Sequence, residues 1–223
     1  MDERRKEALM GKEINLKTGE LSRHLKKAVK AISDGYIIVI PLEHSYAFAC
    51  DAFKHDAVRA MHVLRGDPLF TAAQVLVGNE KTAQGVIRDI TPDVASLMKK
   101  FWPGMVSMNL RPQTGLSWDL GDANQLDQIS IRVPKSKFAK ALLAETGPLA
   151  VTSAVRVGNP MPKSLSEVFV QDSDLAFQFN NGNLRKGPAT TVIEADEKGV
   201  RVLRIGAVSL EEIQNIVPRA AAL

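Results

Sequence analysis

The 223-residue sequence is poor in cysteine, in aromatic residues and in long apolar runs. Its single cysteine, Cys50, excludes an internal disulfide and fits a reducing cytoplasm. Two tryptophans, two tyrosines and eight phenylalanines are scattered along the chain, which argues against a stacking platform for single-stranded RNA. Apolar runs such as Ile37-Ile38-Val39-Ile40 are far too short to span a bilayer. Residues 1–30 carry charge throughout and no apolar segment, so no signal peptide is expected. There is no glycine-rich dinucleotide fingerprint and no Cys-x-x-Cys pair. Gly182 and Gly187 have P-loop spacing, but Pro188-Ala189 follows where a lysine and a hydroxyl are needed.

What is present is ordinary globular composition, with 45% apolar and 24% charged residues. The net charge of +4 sits in the first thirty residues, which hold nine Lys or Arg against five Asp or Glu. The interleaved acids favour a solvated helix and a loose terminus over a polyanion-binding arm. Residues 1–18 therefore read as an N-terminal extension, and residues 19–223 as one domain.

Apolar positions Leu21, Leu25, Ala28, Val29 and Ile32 predict a helix ending at Asp34-Gly35. Residues 36–40 and 46–50 read as strands, and residues 55–64 as a helix stopped by Gly66 and Pro68. Thr91-Pro92-Asp93 opens another helix with a capping hydroxyl and a proline in the first turn. Further strands are predicted at 74–77, 105–110, 129–133, 149–152, 175–179, 191–194 and 200–205, and a helix over 138–145. Ser209 and Glu212 form a capping box for a last short helix. Residues 111–128 read as a mobile surface loop. The alternation predicts one α/β domain on a mixed, twisted sheet.

Few residues declare chemistry on their own. His55 and His62 share a helix face, but no ligand pattern surrounds them. Cys50 reads as a buried, inert thiol, and Trp102 as a core residue. Asp172 and Asp174 flank Ser173 as solvated turn residues. Two segments stand out: Arg65 just past a helix, before a glycine turn, and Thr152-Ser153 with Arg156 at the end of a buried strand. Hydroxyls and a guanidinium beyond strand ends suit a phosphate or a carboxylate.

These segments belong to a longer series: IPLEHSYA at 40–47, LRGDP at 64–68, FWPG at 101–104, IRVP at 131–134, TSAV at 152–155, TTV at 190–192 and LRIGA at 203–207. In this order they resemble the motifs P-T-D-T-x-Y-G, K-G-R-P, F-W-P-G, R-V-P, T-S-A-N, S-T-V and L-R-P-G-A of the YrdC-like threonylcarbamoyl-AMP synthases, including their YciO-type branch. The resemblance implies a twisted open α/β sheet with flanking helices around a large, positively lined cavity. It implies an ATP-dependent nucleotidyltransferase joining L-threonine, bicarbonate and ATP, with Mg2+, for tRNA N6-threonylcarbamoyladenosine formation. Double-stranded RNA is a further partner that the family suggests.

Carried over residue by residue, the resemblance assigns Arg65 and Asp67 to catalysis. His44, Tyr46, Thr152, Ser153, Val155, Thr190, Thr191 and Arg204 fall to nucleotide or substrate binding. The departures are mostly polar: Leu42 and His44 replace threonines, Val155 replaces an asparagine, and Asp67 replaces an arginine. A carboxylate facing phosphate at ~6 Å and an effective dielectric near 20 costs about 3 kcal/mol per unit charge. Asp67 would escape that cost by holding a magnesium ion that bridges phosphates. Two further readings follow from the departures. One is a catalytically degenerate paralogue that binds nucleotide or double-stranded RNA. The other is an adenylate former with a different substrate.

Overall fold

The computed structural model describes residues 11–123, 127–169 and 175–223. Asp172, Ser173 and Asp174 lie outside the described residues. The strands are β1 (Lys12–Asn15), β2 (Ile37–Pro41), β3 (Tyr46–Asp51), β4 (Gln74–Leu76), β5 (Val106–Leu110), β6 (Ile129–Arg132), β7 (Leu149–Ser153), β8 (Leu175–Asn180), β9 (Thr191–Asp196), β10 (Gly199–Arg204) and β11 (Ala221–Ala222). The helices are α1 (Leu21–Ser33), α2 (His55–Arg65), α3 (Glu80–Val86), α4 (Pro92–Phe101), α5 (Lys137–Thr146) and α6 (Leu210–Gln214).

The eleven strands among the described residues form one mixed sheet in the order β1-β8-β2-β3-β7-β4-β6-β5-β9-β10-β11. β2 and β3 form an antiparallel hairpin, and β3 continues antiparallel onto β7. β4 runs parallel to β6, and β5 parallel to β9. This is the mixed sheet with flanking helices that the sequence predicts.

Local signals set most element ends. Gly66 closes α2 in the left-handed conformation, with φ of 71°. Thr91 caps α4 by accepting from the Val94 N–H, and Pro92 occupies the first turn. Ser209 and Glu212 make the predicted capping box of α6. The cations Arg23, Lys26, Lys27 and Lys30 occupy the exposed face of α1.

Alternation along the strands splits the apolar residues between two faces. On one, Ile38, Ile40, Ala49, Leu149 and Phe179 pack against α1 and α5. On the other, Ile37, Val39, Phe48, Val75, Met108 and Ile193 pack against α2, α3, α4 and α6. The α1–α5 layer covers β8, β2 and β3 and reaches Leu149 and Val151 on β7 and Leu76 at the end of β4. Beyond it, the same face carries Gln74, Ser107, Asn109, Ser130, Arg132 and Glu194, which lie in register across β4, β6, β5 and β9. An uncovered polar sheet face is thus the floor of the site.

Three expectations are corrected. β1 pairs parallel with β8, so the sheet begins inside the segment read as an extension. Residues 111–123 are not a loose surface loop: Trp118, Leu120 and Asp122 are buried, and the Leu120 carbonyl accepts from the Ala73 N–H at 2.8 Å. α3, with Asn79 accepting from the Thr82 N–H, appears where no helix is predicted, because its apolar positions are too few to show a period.

Cys50 is fully buried in β3. Burial, with a smaller push from Asp51, raises its thiol above the ordinary range. The native protein is therefore expected not to react with a disulfide reagent at pH 8, and to react stoichiometrically once denatured. Reaction in the native state, read by thiolate absorbance, would contradict this.

Candidate functional site

A cavity of about 360 Å³ opens on the polar half of the sheet face. Its walls come from sequence-distant segments. The 42–45 turn joining β2 and β3 brings Leu42, Glu43 and His44; β7 ends on it with Thr152 and Ser153; Thr190 lies beside it just before β9; Arg204 closes β10.

The floor is a side-chain network. Gln74 on β4 donates to the Ser107 hydroxyl on β5 at 2.8 Å and to the Ser130 hydroxyl on β6 at 3.2 Å. At the back, Arg132 Nη1 donates to Glu43 Oε2 at 3.0 Å and to the Gly104 carbonyl at 3.1 Å. Glu43 Oε1 accepts from the Lys135 N–H at 2.5 Å. The pair therefore ties the 42–45 turn to the end of β6 and to the Trp102-Pro103-Gly104 turn.

Arg65 ends α2 and points to the cavity, with its Nε 3.5 Å from Asp67 Oδ1. Arg204 donates to the Thr190 carbonyl at 3.0 Å and to the Thr190 hydroxyl at 2.9 Å, which fixes the opposite wall. His44 Nδ1 lies 3.1 Å from the Arg185 carbonyl oxygen. Gly187 packs under its ring, where any Cβ would overlap the imidazole. Three guanidinium groups thus face one carboxylate in the lining, a charge balance that favours anions.

Thr152 Oγ1 and Ser153 Oγ, the Arg65 Nε and the Arg132 Nε are buried without a hydrogen-bond partner among the described residues. Buried polar atoms are rarely left unpaired in a structural role. Four of them around one cavity suit a polar, anionic ligand.

Of the ten residues assigned from sequence, His44, Arg65, Thr152, Ser153, Thr190 and Arg204 line this cavity. The other four do not. Thr191 is fully buried: its hydroxyl donates to the Val208 carbonyl at 2.5 Å and accepts from the Gly206 and Val208 N–H groups at 2.9 Å each. It fastens residues 206–208 to β9. The Tyr46 hydroxyl donates to the Gly182 carbonyl at 2.7 Å and accepts from the Asn181 N–H at 2.9 Å. Burial raises its pKa, against a smaller opposing effect of the Asn181 bond. Val155 is a core residue.

Asp67 also lies off the cavity lining, with His62 on one oxygen and Arg65 near the other. The charge reversal expected to repel phosphate therefore does not face it. A carboxylate already engaged by an imidazole and a guanidinium is a poor magnesium ligand. Among the described residues no group of three or more His, Cys, Asp or Glu could hold a metal.

Sequence reasoning missed Glu43, Gln74 and Ser130 as cavity residues. The signal was present as polar residues at alternate positions, Ser107 and Asn109 on β5 and Ser130 and Arg132 on β6, inside otherwise apolar strands.

An open mixed sheet with a cation-lined cavity on its uncovered face defines an α/β protein of one sheet with flanking helices. The chain belongs to the Sua5/YciO/YrdC family: the family model, described as telomere recombination, matches residues 30–206. A Mycobacterium tuberculosis relative, provisionally named a threonylcarbamoyl-AMP synthase, is 33% identical over 90% of this chain and 92% of its own length. The Pyrococcus abyssi threonylcarbamoyl-AMP synthase is 25% identical, and this chain spans only 57% of its length. Among solved structures, P. abyssi Sua5 complexed with L-threonine superposes with a TM-score of 0.85 at 22% identity, over 96% of this chain and 62% of that one. Escherichia coli YciO gives a TM-score of 0.75 at 21% identity, over 92% and 98% of the two chains. No helix among the described residues is long and apolar enough to cross a membrane.

Proposed function

We propose that the cavity binds ATP with L-threonine and bicarbonate and forms threonylcarbamoyl-AMP for tRNA N6-threonylcarbamoyladenosine synthesis. The observation that carries this reading is the set of unpartnered Thr152, Ser153, Arg65 and Arg132 atoms around one cation-rich cavity. The names of the relatives support threonine and a threonylcarbamoyl-AMP product; bicarbonate and tRNA come from the family resemblance.

In the reaction the threonine amine displaces water from bicarbonate to give a carbamate. A carbamate oxygen then attacks the α-phosphorus, and the bond to the β-phosphate oxygen breaks with release of pyrophosphate. ATP and bicarbonate are anions and threonine brings a carboxylate, so guanidinium groups must offset their repulsion. Arg65 and Arg204, on opposite walls, suit the phosphates. The Thr152 and Ser153 hydroxyls orient the reacting groups between them. Magnesium enters as part of the nucleotide substrate, since Asp67 does not fit it.

The test is pyrophosphate release. Release that requires both threonine and bicarbonate, and falls to background in Arg65→Ala, supports the reading. ATP binding without release would instead mark a degenerate paralogue that retains only the nucleotide site. Release with another amino acid in place of threonine would mark an altered substrate. Leu42, Val151 and Met161 in the lining are the residues that would select it.

A further inference from the structure

Asp67 stands where the family pattern has arginine, yet its side chain is only 2% exposed and is turned away from the cavity. Its Oδ2 lies 2.7 Å from His62 Nδ1, and its Oδ1 lies 3.5 Å from Arg65 Nε. The Asp67 N–H also donates to the His62 carbonyl at 3.0 Å, which closes the turn after α2 around this carboxylate. The other ring nitrogen, His62 Nε2, lies 2.8 Å from the Leu120 carbonyl oxygen.

Both nitrogens of His62 therefore face acceptors. A neutral imidazole carries one N–H and would turn a lone pair toward one of them. The ring is satisfied on both sides only when a second proton is held between Nδ1 and the Asp67 carboxylate. The 119–121 segment fixes the ring in place. Gly121 has φ of 105°, and a Cβ there would overlap the imidazole. The charged and titratable groups around the ring are Asp67 and Arg65 after and at the end of α2, Asp119 on the facing segment, and His55 and Arg59 on α2 itself. Asp119 Oδ1 is engaged by the Gly121 N–H at 3.0 Å.

We infer that His62 and Asp67 are a positioning couple for Arg65, holding its guanidinium toward the bound phosphates in a proton-dependent way. The inference rests on the proposed nucleotide reading of the cavity. With the extra proton in place, the Asp67 charge is matched from behind by His62, and Arg65 is free to share its charge with a ligand. When that proton leaves, Asp67 has Arg65 as its nearest cation and draws the guanidinium back from the ligand. The couple absorbs the charge reversal that the family comparison makes so conspicuous.

The experiment is calorimetric titration of the full chain with Mg-ATP between pH 6 and pH 8.5, for wild type, His62→Asn, Asp67→Asn and Arg65→Ala. Wild type is expected to bind about 5- to 10-fold more weakly at the upper pH. His62→Asn and Asp67→Asn are expected to lose that difference, leaving only the pH response of the nucleotide itself. Parallel profiles in wild type and His62→Asn would overturn the inference while leaving the nucleotide site intact. Unchanged binding in Arg65→Ala, or no ATP binding by wild type at any pH, would overturn the nucleotide reading and the inference with it. Should the His62 variant not fold, nitrogen-15 spectra of wild-type His62 decide the matter. Two protonated ring nitrogens at pH 6.5 support the couple, and a bare Nε2 overturns it.

Discussion

Replacing Arg132 with methionine is expected to lower the melting temperature by roughly 6–20 °C. The side chains of Arg132 and Glu43 are only 3% and 10% exposed, and they meet at 3.0 Å. Methionine fills similar volume but leaves the Glu43 carboxylate buried with a single neutral donor, the Lys135 N–H. Breaking one side of a buried ion pair costs about 3–5 kcal/mol. At this chain length each kcal/mol moves the midpoint by about 2–4 °C. Glu43→Gln is expected to cost less. The amide still accepts from Arg132, and the guanidinium keeps the Gly104 carbonyl. Combining Glu43→Gln with Arg132→Met removes both charges and is expected to recover part of the loss. Thermal unfolding followed by circular dichroism reads all three. Equal losses for the two single variants would show that the pair is not the source of the effect.

Arg65→Ala is expected to behave in the opposite way, with little change in stability and a large change in ligand affinity. Its side chain is 24% exposed, and Asp67 keeps His62 when the guanidinium is gone. The melting temperature without ligand is expected to stay within about 4 °C of wild type. A charge-assisted contact to phosphate is worth about 2–3 kcal/mol, or roughly 30- to 150-fold in the Mg-ATP dissociation constant. Arg65→Lys restores the charge but not the planar fork, and is expected to recover part of the affinity. Calorimetry beside thermal unfolding separates the two quantities. A large loss of stability in Arg65→Ala would move this residue from the site to the scaffold.

The parts of the fold that could be read from sequence are those with local causes. The β-branched run of β2, the Thr91-Pro92 start of α4, the glycine stop of α2 and the capping box of α6 each act within a few residues. β1 could not be read that way. Its four residues bury only Ile14, and it is a strand because β8, more than 160 residues further on, offers a free edge. The 111–123 segment looked solvated because its pattern is polar; Trp118 and Leu120 fold under it.

The site divides along the same line. Sequence identified residue types with the right chemistry, but whether a hydroxyl faces a cavity or a carbonyl is a tertiary matter. Thr190 and Thr191 are neighbours, yet one lines the cavity and the other is a fully buried clasp for residues 206–208. Asp67 was legible as a departure, while its direction was not. That direction depends on His62 and on a carbonyl from Leu120.

The lining runs from Leu42 to Arg204, so no piece of the chain shorter than that span contains the whole cavity. A chain halted before β10 has neither Arg204 nor the clamp that it places on Thr190. A ligand seated here would bridge strands that are distant in sequence. It would slow amide exchange in β3, β7 and β9 together, through the global opening and not a local one. Ligand supply would in that way set the lifetime of the folded protein against proteolysis as well as its occupancy.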